Sequence, residues 1–341
     1  MAKAEKLIER ATQVAADAEA ARLRQELRDV KARYTAALKQ LEAAKQQTEA
    51  IRQLQGIKPQ KLPTAKRNKT LPDATAILVC SDWHCEERVK PEECRGLNEY
   101  SLEIADRRIA EMTRRAAMLI EHEKSLTNIR RVVVAALGDM ITGHIHDDLI
   151  EVTQLAPMAA TRWAGERLAG VIDEMVKIAP VLVATASGNH GRSTQRMRIA
   201  TENDHSFEQN LYLTMASSER RKNVTWAVGE GYHNVVDIDG YAVRFHHGHA
   251  LKYGGGVGGI TIPANKAIAS WNVAQRADID IFGHWHQHLY VPYRFVANAS
   301  LIGHNAYAER IKAEYQPPSQ TLVIVDHEHN RITKVLPLFV R

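Results

Sequence analysis

The sequence predicts an α/β fold of layered, mixed β-sheet, preceded by an α-helical, coiled-coil-like arm. Two observations carry this. From Ala74 onward, short β-type runs (TAILVC, RVVVAAL, PVLVATA, YAVRFHH, DIDIF) alternate with amphipathic stretches, the pattern of strands buried on both faces and separated by helices. Ahead of them, residues 1–55 contain no Gly and no Pro and are rich in Ala, Glu, Lys, Arg, Gln and Leu, the composition of an uninterrupted helix.

Within that arm Leu23, Leu27, Val30, Tyr34, Ala37, Leu41, Ala44, Thr48 and Ile51 recur at alternating spacings of four and three. This reads as a coiled coil or a helical hairpin, with self-association set against a plain solvated helix. QGIKPQKLPTAKRNKTLPD, Gln55 to Asp73, holds one Gly, three Pro and five Lys/Arg and reads as a basic, mobile linker. The expected organisation is therefore an arm over 1–55, a linker over 56–73 and one α/β domain over 74–341. Residues 1–70 carry 16 Lys/Arg against 8 Asp/Glu, whereas the whole chain carries 45 against 40. The basic excess thus sits in the arm and linker, which permits a polyanion such as nucleic acid as partner.

In the domain, Leu102, Ala105, Ile109, Met112, Ala116 and Leu119 mark one helix; Ala164, Leu168, Val171, Met175 and Ile178 mark another. VTWAVGEGYHNVVDIDGYAVRF reads as hairpin-linked strands, and TLVIVDHEHNRITKVLPLFV as a hairpin turning at His-Asn, so the sheet should be mixed. No apolar stretch approaches the roughly 18 residues of a membrane span, and MAKAEKLIER lacks a signal-type apolar core. A cytoplasmic protein with no membrane partner is expected. Cys80, Cys85 and Cys94 lack CxxC pairing; Cys80, inside an apolar run, reads as a small core residue.

Each strand-like run ends in polar residues. TAILVC leads to Ser81, Asp82, Trp83 and His84; RVVVAAL to Gly138 and Asp139; PVLVATA to Ser187, Gly188, Asn189 and His190. YAVRF leads to His246, His247, Gly248 and His249; DIDIF to Gly283, His284, Trp285 and His286. Ligands of α/β folds bind at the carboxyl ends of strands. Asp82, His84, Asp139, Asn189, His247, His284 and His286 form a hard-to-borderline donor set suited to Mn, Fe, Zn or Ni, with Mn expected first. Seven donors exceed one ion's need; they divide over two divalent metals about 3.5–4 Å apart, the arrangement that clamps an in-line phosphoryl displacement.

The ordered set DxH, GD, GNH, HGH and GHxH resembles the calcineurin-like metallophosphoesterase pattern. The resemblance implies a four-layer α/β/β/α sandwich with a dinuclear site at one edge. It implies that Asp82, His84 and His286 hold one metal, that Asn189, His247 and His284 hold the other, and that Asp139 bridges them. It further implies that His190 is the non-ligand catalytic histidine, and that a metal-bridging hydroxide attacks phosphorus in line. Two positions depart from the pattern: Thr142 stands where the protein-phosphatase branch has a carboxylate, and Gly191 follows GNH where an acid is frequent. His144, His146, Asp147 and Asp148 are candidates to orient His190 in that carboxylate's place.

Arg192 reads as a phosphate clamp or as a loop arginine. His249, His144 and His146 read as substrate contacts, or as loop and helix-capping residues. His246 and His288 read as structural, and Trp83 and Trp285 as core. Asn298, His304 and Asn305 follow the last motif and are candidates for the pocket wall. KYGGGVGGI, residues 252–260, lacks GKS/T and reads as a mobile loop, not a P-loop. The expected activity is a nuclease-like phosphodiesterase acting on nucleic acid. A helical arm ahead of this motif set is similar to phosphoesterases of bacteriophages and, loosely, to the recombination-repair exonuclease branch. A cyclic- or dinucleotide phosphodiesterase, a phosphomonoesterase, and a coiled-coil assembly factor with a vestigial site stand as alternatives.

Overall fold

The computed structural model describes residues 2–54, 70–252 and 259–341. Most of the expected linker and most of the glycine-rich segment lie outside the described residues. The chain divides into two compact units, Met1–Arg67 and Asn68–Arg341.

The first unit contains α1 (Ala2–Leu54), one continuous 53-residue helix and not a hairpin. Its described side chains are almost all exposed, the heptad leucines included.

The second unit is a four-layer α/β/β/α arrangement around two mixed sheets, as the sequence led us to expect. One sheet has six strands: β1 (Asp73–Cys80), β2 (Asn128–Ala136), β3 (Val181–Thr185), β4 (Val224–Ala227), β10 (Ser319–Asp326) and β11 (Arg331–Phe339), in the order β11-β10-β1-β2-β3-β4. The other has five: β5 (Asn234–Ile238), β6 (Tyr241–His246), β7 (Ile279–Phe282), β8 (Leu289–Val291) and β9 (Phe295–Ala297), in the order β5-β6-β7-β9-β8. β1, β2, β3 and β4 run parallel, as do β6, β7 and β9. Parallel strands put their carboxyl ends at one edge, and that edge collects the polar motifs.

Alternate residues of each sheet face alternate layers. Ile77, Val79, Val133, Ala135 and Val323 of the six-stranded sheet meet Val243, Phe245, Ile279, Ile281 and Val296 of the five-stranded sheet in a shared core. Deleting the Phe245 ring there should cost on the order of 3–5 kcal/mol. The opposite face of the six-stranded sheet, with Ala76, Leu78, Val132 and Val134, packs on α2 (Leu102–Glu123) and α4 (Pro157–Val176). In α2 the buried residues Ala105, Ile109, Met112, Ala116 and Ile120 recur every three or four positions, and Ser101 Oγ caps the helix by accepting from Ile104 N–H. α5 (Phe207–Ser218) is capped the same way by Ser206. The outer face of the five-stranded sheet packs Phe282, Phe295 and Ala297 against Ala264 and Ile268 of α6 (Thr261–Ala274). Two short helices, α3 (Asp147–Val152) and α7 (Ala306–Ile311), complete the unit.

One expectation is corrected. β4 is not hairpin-linked to β5; it joins the six-stranded sheet parallel to β3, because α5 supplies the crossover, while β5 and β6 form the hairpin. Trp83 is a core residue as expected, and Trp285 is partly buried against the core under α6. Cys80, Cys85 and Cys94 are buried free thiols. No helix among the described residues is long and apolar enough to cross a membrane.

Candidate metal centre

Five loops converge at the shared strand edge, and their backbones are stitched together before any side chain is counted. Asp82 N–H donates to Gly138 O, His84 N–H to Asp139 O, and Gly283 N–H to His247 O. The fit is close: a Cβ on Gly188 would stand 2.1 Å from Asp139 Oδ1, and one on Gly283 2.3 Å from Asp82 Oδ2. Asp82, His84, Asp139, His284 and His286 all hold positive φ, between 45° and 68°, a region non-glycine residues enter rarely and at a cost of about 1–3 kcal/mol each. Such strain, repeated at five chemistry-bearing residues, marks a functional site.

The donors fall into two groups, Asp82/His84/His286 and Asp139/His247/His284, with the donor atoms of each within 4.8 Å of one another. Asn189 lies between Gly188 and His190, both of which adjoin Asp139, and its Oδ1 is buried with no hydrogen-bond partner among the described residues. The groups abut: His284 N–H of the second donates to both Asp82 oxygens of the first, and His84 N–H of the first donates to Asp139 O of the second at 3.1 Å.

Hydrogen bonds orient the donors. Asp82 accepts from His284 N–H at 2.9 and 3.0 Å and from Ser81 Oγ at 2.5 Å; Ser81 Oγ in turn accepts from Asn298 Nδ2. His247 Nδ1 donates to Leu137 O at 2.7 Å. His84 Nδ1 donates to Thr142 Oγ1 at 3.1 Å, and Thr142 Oγ1 donates to Glu87 Oε2 at 3.0 Å. With Nδ1 committed, both rings turn an Nε2 lone pair inward, the orientation metal-ligating histidines adopt. His84 Nε2 is buried and has no hydrogen-bond partner among the described residues.

Electrostatics point the same way. Burial, with His190 next, holds His84 well below the ordinary histidine value, and burial with His247 does the same to His284. Both stay neutral and fit for ligation. Burial alone would raise Asp139, but His247, His190 and His84 hold its carboxyl well below the usual range. His247 Nε2 stands 2.9 Å from Asp139 Oδ2. Burial opposes charge on this ring, yet Asp139 outweighs it and pushes His247 up to about 10. Two lone pairs so placed need a positive charge between them, a proton or a cation.

The remaining sequence candidates divide. His190 N–H donates to Asp139 Oδ1 at 2.7 Å, and its ring stands perpendicular to His84 with centroids 4.8 Å apart. Its Nδ1 donates to the Thr142 carbonyl at 2.9 Å, so the backbone orients it, not His144, His146, Asp147 or Asp148. His144 and His146 are exposed; His144 pairs with Thr153 Oγ1 and His146 is the N-cap residue of α3. His249 reaches the site, its ring 5.5 Å from His247, and pairs with Glu202 at 2.8 Å. Arg192 is no open clamp: its guanidinium donates to the carbonyls of Thr194, Asn189 and Gln195 and so fastens the loop that carries Asn189. His246 is buried and stacked on Phe282, and His288 pairs with Thr321. Asn305 reaches Glu87, and His304 reaches Glu309.

Three carboxylates escaped the sequence reading. Glu86 accepts from the N–H groups of Thr142 and Gly143, and Glu87 from the Thr142 hydroxyl. Glu208 of α5 accepts from Met140 N–H at 2.7 Å and Gly188 N–H at 2.8 Å, bracing two motif loops. Burial, then Asp139, lifts Glu208 to about 7. It also explains Gly191, where a Cβ would stand 2.7 Å from Glu208 Cγ. Glu86 and Glu87 lie two and three residues past the DxH motif, which is a usable signal; Glu208 has none.

No family model matches the chain, and no curated protein matches it. Similar solved structures include a hypothetical protein from Pyrococcus horikoshii OT3, at TM-score 0.38 and 11% identity, covering 78% of this chain and 89% of that one. A sulfate thiohydrolase SoxB from Thermus thermophilus, in complex with glycerol, aligns at TM-score 0.35 and 10% identity over 82% of this chain and 58% of that one. A phosphatase from Mycoplasma pneumoniae aligns at 0.33 and 10%, over 79% and 93%. Likeness at this level assigns no chemistry; the site's own geometry must do so.

Proposed function

We propose that the chain is a phosphoric ester hydrolase working with two divalent cations, and that its substrate is a phosphodiester of nucleic acid. The observation that supports the first part is the pair of abutting donor groups around Asp139. The residues fit the ions: two carboxylates, four imidazoles and an amide oxygen suit manganese or its neighbours, and the unpartnered His84 Nε2 and Asn189 Oδ1 are buried in want of a cation.

Asp82, His84 and His286 would hold one ion; Asp139, Asn189, His247 and His284 would hold the other, with Asp139 shared. Bound there, the pair supplies Lewis-acid activation of water and neutralises charge on the phosphoryl oxygens. The protein's own share is orientation and proton handling. Thr142 O fixes His190 Nδ1–H, which leaves Nε2 as the atom that takes up a proton from solvent and, in the imidazolium form, passes it to the leaving oxygen. Backbone stitching keeps the donors in place without rearrangement.

The polynucleotide reading rests on the basic excess of residues 1–70. The rest of the chain is slightly acidic, which favours a small nucleotide diester as the second reading. Manganese-loaded protein would be assayed on single- and double-stranded DNA, RNA, cyclic nucleotides and bis-p-nitrophenyl phosphate. A variant with Lys58, Lys61, Lys66, Arg67 and Lys69 changed to Gln should lose salt-sensitive polynucleotide cleavage while keeping the small-ester rate. Equal activity of both proteins on DNA and RNA would sink the nucleic-acid half, and Asp139→Asn at wild-type rate would sink the whole.

A further inference from the structure

α1 is a 53-residue helix whose seam residues Leu23, Leu27, Val30, Tyr34 and Leu41 are each more than half exposed. Helices in proteins draw most of their stability from packing an apolar face, so this seam calls for a cover. We propose that the cover is α1 of a second copy, and that the two helices run parallel and in register.

The direction follows from the charges that flank the seam. With Leu27, Tyr34, Leu41 and Thr48 at a, and Leu23, Val30, Ala37 and Ala44 at d, the e positions are Arg24, Lys31, Leu38 and Lys45. The g positions are Glu19, Glu26, Arg33, Gln40 and Gln47. In a parallel dimer each g residue faces the e residue five positions on in the other helix. That pairs Glu19 with Arg24 and Glu26 with Lys31, each twice by symmetry, and opposes no like charges. In an antiparallel dimer e faces e, and Arg24, Lys31 and Lys45 would meet one another. Within one helix Glu26 already bonds Arg22 at 3.0 Å; pairing with Lys31 of the other copy adds a second cation without displacing the first. Leu at a with a β-branched Val at d, amid alanines, gives a thin seam. Charge therefore decides the geometry here more than packing does. Parallel helices bring both C-terminal ends, at Leu54, to the same end of the pair.

Sedimentation of the full-length chain at tens of micromolar should give the mass of a dimer. Two charge variants then test the register: Glu19→Lys with Glu26→Lys, and Arg24→Glu with Lys31→Glu. Each alone should weaken dimerisation on the order of tenfold, since four attractive pairs become repulsive. An equimolar mixture of the two should restore wild-type dimerisation. Leu23→Cys should form an interchain disulfide on oxidation, because d faces d only in the parallel arrangement and the three native thiols are buried. A monomer at every concentration, a dimer that does not cross-link through Cys at position 23, or failure of the mixed variants to recover would each overturn the proposal.

Discussion

Thr142 holds His190 by its backbone carbonyl, which accepts from Nδ1 at 2.9 Å. The same residue holds His84 by its hydroxyl, within the chain Asn305–Glu87–Thr142–His84. One residue thus sets the tautomer of two imidazoles through two different groups. The position that breaks the phosphatase-branch pattern does its work without a carboxylate of its own.

Thr142→Val keeps the carbonyl and removes the hydroxyl. His84 should lose its orienting partner while His190 keeps its own. Affinity for one of the two cations should fall about 10–100-fold, measured by competition with a chromophoric chelator. Thr142→Ser should restore it. Unchanged affinity for both ions in Thr142→Val would show the relay to be idle.

Asp139 faces His247 through Oδ2 and His190 N–H through Oδ1. With Asp139 shared as proposed, Asp139→Asn should remove a charge that serves both ions, lowering manganese content from two ions to one or none by elemental analysis. Hydrolysis of bis-p-nitrophenyl phosphate should fall to background. The thermal midpoint of the metal-free protein should fall as well, because the buried His247–Asp139 pair is lost.

Glycine replacements should separate site from scaffold. Gly188→Ala drives a methyl into Asp139 Oδ1, whereas at Gly170, exposed on α4, a Cβ would meet nothing among the described residues within 4 Å. Gly188→Ala should abolish activity and lower the melting temperature. Gly170→Ala should keep activity and gain up to about 1 kcal/mol from helix propensity, read by urea denaturation.

Glu219 accepts from Arg221 through both oxygens, at 2.8 and 2.6 Å, and also from Trp226 Nε1. Arg221 holds its carboxyl down at about 2, against a smaller opposing effect of burial. Because the folded value lies below the unfolded one, this contribution is fully present above about pH 4.5 and is lost as pH falls through 2. The difference in melting temperature between wild type and Glu219→Gln should therefore be steady from pH 7 to 5 and shrink toward pH 2.

The layered fold and the position of the donors were legible because strand ends announce themselves. Asp82, Asp139, Asn189, His247 and His284 each follow an apolar run within a few residues, so local pattern and tertiary place coincide. β4 misleads because VTWA adjoins β5 in sequence while its pairing with β3 depends on the α5 crossover. Arg192 beside GNH looks like an anion clamp; only the turn of its loop brings three carbonyls to its guanidinium. Glu208 sits mid-sequence in an ordinary helix, and its burial against Gly188 and Met140 is decided wholly by packing.

Each donor group draws on both sheets: Asp82 and His84 follow β1 while His286 follows β7, and Asp139 follows β2 while His247 and His284 follow β6 and β7. A cation in either group would therefore act as a rivet through the open end of the sandwich. Occupancy and closure of that end then become a single variable, so demetallation should loosen the seam between the layers before it disturbs either layer alone.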